Sequence, residues 1–125
     1  MGTFRERVSV SNPEKPSASV ELEMVVDSGA TYTWIPKDIL LKLGIRPKVK
    51  RRFKLADGNI IEREAGIINL SLKEETLPNF TVFGDEGSEL LLGAMTLEAF
   101  GLGIDPVNKT LVPVTLLLVL TLEVS

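Results

Sequence analysis

Apolar and polar residues alternate with a period of two over much of the chain, which is the pattern of half-buried strands. In "TFRERVSVS" Phe4, Glu6, Val8 and Val10 alternate with Arg5, Arg7 and Ser9, and "SVELEMVV" continues the style after the turn-forming "NPEKPS". Residues 3 to 26 therefore predict a β-hairpin. "PKDILLKLG" breaks the alternation and predicts a short helix: Pro36 suits a first helical position, Asp38 favours the positive N-terminal end, Ile39, Leu40 and Leu43 share a face, and Gly44 stops it. "KVKRRFKLADGNIIERE" predicts two strands about Asp57-Gly58, a pair whose tolerance of positive φ suits a hairpin turn. Further strands are expected at "AGIINLSL" and at "NFTVFG" after Pro78. The run "ELLLGAMTLEAFGLGIDP" ends its apolar part at Gly93 and predicts a second short helix with Thr96 as N-cap.

Composition places this β-rich pattern in a globular chain. At 125 residues, with 44% hydrophobic and 25% charged residues, residues 1–125 are expected to fold as one domain with a real core. The chain has no cysteine and no histidine. That removes disulfides, thiolate metal sites, and both the commonest zinc ligand and the commonest general base. Any catalysis has to come from carboxylates, hydroxyls, lysine or an added cofactor. The N-terminal "MGTFRERVSV" lacks the apolar core of a secretory signal, and the C-terminal "LVPVTLLLVLTLEV" is too short to span a bilayer. A cytoplasmic protein without a membrane partner is expected, and residues 111–124 read as an apolar strand that some surface must cover.

Against that background one carboxylate stands out. The apolar run Leu22 to Val26 ends in Asp27, followed at once by Ser28 and Gly29. All three are good turn formers, so the ordinary reading is a strand ending, and the sharper one is that Asp27 does chemistry. A short internal repeat adds weight. "DSGATYTWIPKDILLKLGIRP" and "LLGAMTLEAFGLGIDP" share an apolar strand, Gly-Ala, a short helix and Leu-Gly-Ile-x-Pro, at Leu43 to Pro47 and again at Leu102 to Pro106.

Asp27-Ser28-Gly29-Ala30, a hairpin tipped by Asp57-Gly58, and Leu91-Leu92-Gly93 before a short helix, in that order and spacing, resemble the retropepsin-like aspartic proteases. The likeness is to the single-lobed, homodimeric kind outside retroviruses, of prokaryotic type, and covers about residues 18–114. It implies an all-β fold, a closed lobe with one or two short helices, in a dimer of identical lobes. It further implies that Asp27 is the catalytic aspartate of an Asp-Ser-Gly motif completed by Ser28 and Gly29. Ser28 would hydrogen-bond across the dimer, and the hairpin would be a flap over the substrate. Ala30 and the flap residues Leu55, Ala56, Asp57, Gly58 and Asn59 are then the substrate-binding set, and Leu91-Leu92-Gly93 would pass behind the catalytic loop.

The chemistry can be argued independently. Peptide hydrolysis by water needs a base to take a proton from water and an acid to protonate the carbonyl oxygen, and two carboxylates sharing one proton supply both. Only Val25 to Ala30 places an Asp at the end of an apolar strand before a Gly, so the second carboxylate is expected from an identical chain across a two-fold axis. The expected function is an aspartic endopeptidase acting on peptide or protein substrates, with bell-shaped pH dependence and with neither a metal nor an organic cofactor. The alternative is a non-catalytic module that keeps the fold for dimerisation or peptide binding. Two departures from the retroviral pattern leave room for it: Ala94 and Met95 stand where an arginine braces the retroviral dimer, and the flap has only Gly58 near its tip.

Other segments read more plainly. The basic run Lys48 to Lys54 looks mainly like the solvated face of a strand, and with a net charge of -3 no nucleic-acid partner is expected. "GDEGSE" lacks the spacing of a cation-binding loop. Tyr32 and Trp34 fall on one face and suit core or pocket-wall packing. Asp105, before Pro106, is the alternative for a second carboxylate within one chain, but no Gly follows it and the repeat places it opposite Arg46, so a turn role is preferred.

Overall fold

The first hairpin forms where the alternation predicts it. In the computed structural model, which describes residues 3–27 and 29–116, β1 (Phe4–Asn12) pairs antiparallel with β2 (Lys15–Val26). Alternate positions of β1 are buried, but β2 ends in three consecutive buried residues, Met24, Val25 and Val26. The alternation stops there because strands and core cover both faces, as in buried parallel pairs. β3 (Thr33–Pro36), α1 (Lys37–Lys42), β4 (Val49–Lys54), β5 (Ile60–Leu72), β6 (Glu75–Gly84), β7 (Leu91–Leu92), α2 (Ala94–Ala99), β8 (Leu102–Asp105) and β9 (Thr110–Pro113) follow.

The sheet order is β1-β2-β7-β3-β6-β5-β4, and β1 also pairs with β5 through Ser9–Ser11 against Asn69–Ser71. That second pairing closes a ring of strands, with β4 attached outside it along the first half of β5. A separate two-stranded sheet, β8 with β9, follows α2. The fold is therefore all-β with two short helices, a closed lobe as expected. Its core gathers Val8, Val10, Met24, Ile35, Leu40, Ile68, Leu70 and Leu92, all at most 2% exposed.

Several boundaries differ from the expectation. β5 is one 13-residue strand rather than two, running straight through Ala65 and Gly66. Gly66 marks a close approach there: a Cβ would lie 3.0 Å from the Arg46 carbonyl oxygen and 3.1 Å from the Phe83 ring. β6 begins before Pro78, which pairs with Asn69, while β3 flanks only Thr81–Gly84 of the other edge, so the missing N–H disrupts no β3–β6 bond. The turn joining β5 to β6 places Lys73 and Glu74 at φ 51° and 68°, a left-handed pair that carries no Gly or Asn signal.

Pro36 is the N-cap of α1, not its first residue, and Gly93, not Thr96, caps α2. The repeat is real in form but shifted in register. Both helices end before a left-handed glycine, Gly44 at φ 77° and Gly101 at φ 67°. Gly44 thus corresponds to Gly101 rather than to Gly103. β8 and β9 form a hairpin that the pattern did not announce, and β9 ends at Pro113 with residues 114–116 outside any strand. The remainder of the expected strand 111–124 lies outside the described residues.

One polar side chain ties the halves of the lobe together. Asn12 is buried, donates to the Leu43 carbonyl at 2.9 Å and accepts from the Glu14 N–H at 2.8 Å. A single amide therefore fixes the first turn and satisfies the carbonyl at the end of α1.

Candidate active site

Asp27 follows β2, and the strands around it determine where its carboxylate can go. Val25 and Val26 pair in parallel with Leu91 and Leu92, and Trp34 of β3 meets Leu91 from the other side. β7 is thus inserted between the strand that enters the Asp27 loop and the strand that leaves it. Within the loop, the Ala30 N–H donates to the Asp27 carbonyl at 3.1 Å, and the Gly29 N–H donates to Asp27 Oδ1 at 2.9 Å. Oδ2 has no hydrogen-bond partner among the described residues, and Asp27 is half-buried. A Cβ on Gly29 would stand 3.2 Å from Asp27 Oδ1, so a side chain there would crowd the carboxylate. Ser28 lies outside the described residues.

The loop is braced from behind by the start of α2. The Ala94 and Met95 N–H groups, two of the donors that a helix start leaves open, donate to the carbonyls of Ala30 and Thr31 at 2.8 and 3.0 Å. The Gly93 N–H donates to Thr33 Oγ1 at 3.1 Å, and the Thr33 and Thr96 hydroxyls bond to each other beneath the loop. Thr33, Thr81 and Thr96 are all at most 2% exposed. Gly93 passes so close that a Cβ would sit 2.7 Å from both Thr31 O and Thr33 N. Leu91-Leu92-Gly93 does run behind the Asp27 loop. Sequence reasoning missed the supporting hydroxyls of Thr33 and Thr96; an isolated Thr between two aromatic residues, at the start of the short strand β3, was the available signal.

The expected flap is the β4–β5 hairpin. Gly58 N–H donates to the Leu55 carbonyl at 2.9 Å and Leu55 N–H to the Asn59 carbonyl at 2.8 Å, so the loop is Ala56-Asp57-Gly58 with only Gly58 at positive φ, 89°. Asp57 does not adopt the left-handed conformation. It caps the turn instead, accepting from the Asn59 N–H and side-chain amide, each at 2.9 Å. The hydrogen bonds of the tip run within the tip, and Leu55 to Asn59 are all exposed. The Asp27 loop and the hairpin meet lower down. Tyr32 packs edge-on against Phe53 of β4 at 5.7 Å between ring centroids and against Phe80 of β6 at 5.6 Å.

The remaining candidates resolve into structure. Asp105 accepts from the Val107 N–H and from the N–H and side-chain amide of Asn108. The Asn108 side chain first, then the two backbone donors, hold its carboxyl below the usual range, which is the signature of a turn. Asp85 of the acidic loop pairs with Arg63 at 3.0 Å. Among the described residues no three acidic side chains gather as a metal site would require, and no helix is long and apolar enough to cross a membrane. Trp34 donates from Nε1 to Ser88 Oγ at 2.9 Å.

The fold is shared with known proteases. The EIAV protease complexed with the inhibitor HBY-793 superposes with a TM-score of 0.57 at 15% identity, covering 80% of this chain and 89% of that one. The simian foamy virus (mac) protease superposes with a TM-score of 0.52 at 16% identity, covering 76% of this chain and 94% of that one. No curated protein matches the sequence. Residues 18–99, from β2 to the end of α2, match the model of the "gag-polyprotein putative aspartyl protease" family. That span holds the Asp27 loop, the hairpin and the bracing segment, and the chain belongs to this retropepsin-like aspartic protease family.

Proposed function

We propose that the protein is an aspartic endopeptidase whose active site is completed by a second copy of the chain, Asp27 of each copy supplying one of two carboxylates. The observation that carries this reading is the Asp27 loop: one carboxylate oxygen is fixed by the Gly29 N–H, the other is free among the described residues, and the backbone behind is locked by Ala94, Met95 and Gly93. Such rigidity costs little reorganisation when charge moves during reaction. The other aspartates at strand ends are engaged elsewhere, Asp85 after β6 by Arg63 and Asp105 at the end of β8 by Val107 and Asn108, which is why a partner chain is needed for the second carboxylate.

The chemistry balances with two carboxyl groups and one shared proton. The carboxylate takes a proton from water as the water oxygen bonds to the peptide carbon, and the protonated carboxyl gives its proton to the carbonyl oxygen. Collapse of the tetrahedral diol breaks the C–N bond: the proton held by the first carboxyl passes to the leaving nitrogen, and one diol hydroxyl returns its proton to the second carboxylate as the C=O re-forms, restoring the shared proton. The β4–β5 hairpin is the element that would cover the peptide, with Leu55 at 41% and Ile60 at 61% exposure offering apolar surface at its end. Ser28 and Gly29 complete the loop, and Ala30 with residues 55–59 contacts the substrate.

Cleavage of an unstructured protein, followed from acid to neutral pH and over a range of enzyme concentrations, tests this reading. A bell-shaped pH profile is expected, because a dyad works only in its singly protonated form. Specific activity should also fall on dilution, in step with dimer dissociation followed by sedimentation. A folded dimer that cleaves nothing at any pH would leave the peptide-binding module as the better account.

A further inference from the structure

A pocket of about 450 Å³ opens where the Asp27 loop meets the hairpin, lined by Tyr32, Arg51, Arg52, Phe53, Phe80 and Met95. Its walls come from four separate parts of the chain: Tyr32 lies five residues past Asp27, Arg51 to Phe53 belong to β4, Phe80 to β6 and Met95 to α2. The two edge-on contacts of Tyr32 hold three aromatic rings together, while Tyr32 and Met95 stay 41% and 53% exposed. A cluster of large apolar side chains held open to solvent is the ordinary mark of a binding surface.

The charge at this pocket is of one sign only. Although the whole chain carries -3, the pocket lining has two arginines and no carboxylate. Register explains why one of the two, Arg51, is uncompensated. On β4, Lys50 and Arg52 stand opposite Glu64 and Glu62, but Arg51 shares a face with Phe53 and stands opposite another cation, Arg63, which is engaged by Asp85. Like charges directly opposite on a sheet destabilise it. No carboxylate comes within ion-pair distance of Arg51 among the described residues; its guanidinium rests on the Lys50 carbonyl at 2.8 Å.

We propose that this pocket sets the specificity of the enzyme, selecting peptides in which a bulky apolar side chain, seated among Tyr32, Phe53, Phe80 and Met95, is flanked by an acidic residue held by Arg51. The proposal rests on the reading of Asp27 as a peptide-cleaving carboxylate, since the pocket wall is the continuation of the Asp27 loop. Aromatic rings beside arginine could also stack nucleotide bases, but the overall negative charge disfavours a polyanion, and a wall that continues the Asp27 loop through Tyr32 favours a peptide.

The test uses the full chain in two parallel arms. A random-sequence peptide library is incubated with Asp27→Asn protein to find which peptides are retained, and with wild type to find which bonds are cut. Both sets should be enriched in a large apolar residue next to Asp or Glu. Arg51→Glu should lower kcat/KM for the acidic peptides about tenfold and raise it for their lysine counterparts, while Tyr32→Ala should lower it about tenfold for both. Arg51 is exposed and its replacement removes the opposition to Arg63, so this variant should fold. Selective retention without cleavage would keep the pocket and remove the peptidase reading. Cleavage indifferent to the acidic neighbour and to Arg51→Glu would overturn the pocket assignment and leave the peptidase. Neither retention nor cleavage, or displacement of retained peptide by a single-stranded oligonucleotide, would overturn the proposal.

Discussion

Asp27→Asn is expected to lower the rate of peptide hydrolysis by at least about 10⁴-fold while leaving the fold unchanged, because it removes both the base and the acid from a two-carboxylate site. Asn is the right replacement for a structural reason. The Gly29 N–H needs an acceptor, and the amide oxygen of Asn can take the place of Asp27 Oδ1 at 2.9 Å. Asp27→Ala would strip that acceptor and mix a loop defect with a chemical one. Cleavage of an unfolded protein by the two proteins, purified in the same way and matched by thermal unfolding, gives the comparison. Equal cleavage by both would place the activity elsewhere.

Gly93→Ala is expected to destabilise the protein by at least about 3 kcal/mol, lowering the melting temperature by about 10 °C or more. The reason is geometric. Around Gly93 the neighbours are backbone atoms of the Asp27 loop, with Thr31 O and Thr33 N each 2.7 Å from where the Cβ would be, so no side-chain rotation can relieve the overlap. The loop would have to move, breaking the bonds from Ala94 to Ala30 and from Met95 to Thr31. Activity should therefore fall further than the loss of folded protein accounts for, which calorimetry and kinetics on the same preparation would separate. A methyl tolerated without either effect would show that the bracing segment does not hold the loop.

What could be read in advance was what short stretches dictate by themselves. The first hairpin, α1 and the β4–β5 hairpin follow from period-two alternation, from Gly44 as a helix stop and from Asp57-Gly58, each within one continuous stretch of chain. The family likeness added the path of Leu91 to Gly93 and the expectation of a catalytic role for Asp27. What escaped was set by distant partners. β7 is two residues long and is a strand only because β2 and β3 flank it. Thr96 looked like a cap because Thr commonly is one, yet its hydroxyl is occupied by Thr33, which stands 63 residues earlier. The pattern predicts two strands meeting between Glu64 and Ala65, whereas β5 runs through and Gly66 within it admits the Arg46 carbonyl. The pocket at Tyr32 was half legible: Tyr32 suits core or pocket-wall packing, but that Arg51 faces the same side as Phe53 and opposes Arg63 emerges only from the register with β5.

The central claim is that one active site needs two copies of Asp27, and subunit mixing tests it most directly. Wild type and Asp27→Asn chains would be combined in varying ratio at constant total concentration, allowed to exchange, and assayed on one peptide. With both carboxylates required, activity should follow the square of the wild-type fraction, so an equal mixture should retain about a quarter of the wild-type rate. A linear decline to about half would mean that each chain carries a complete site, and would contradict the account.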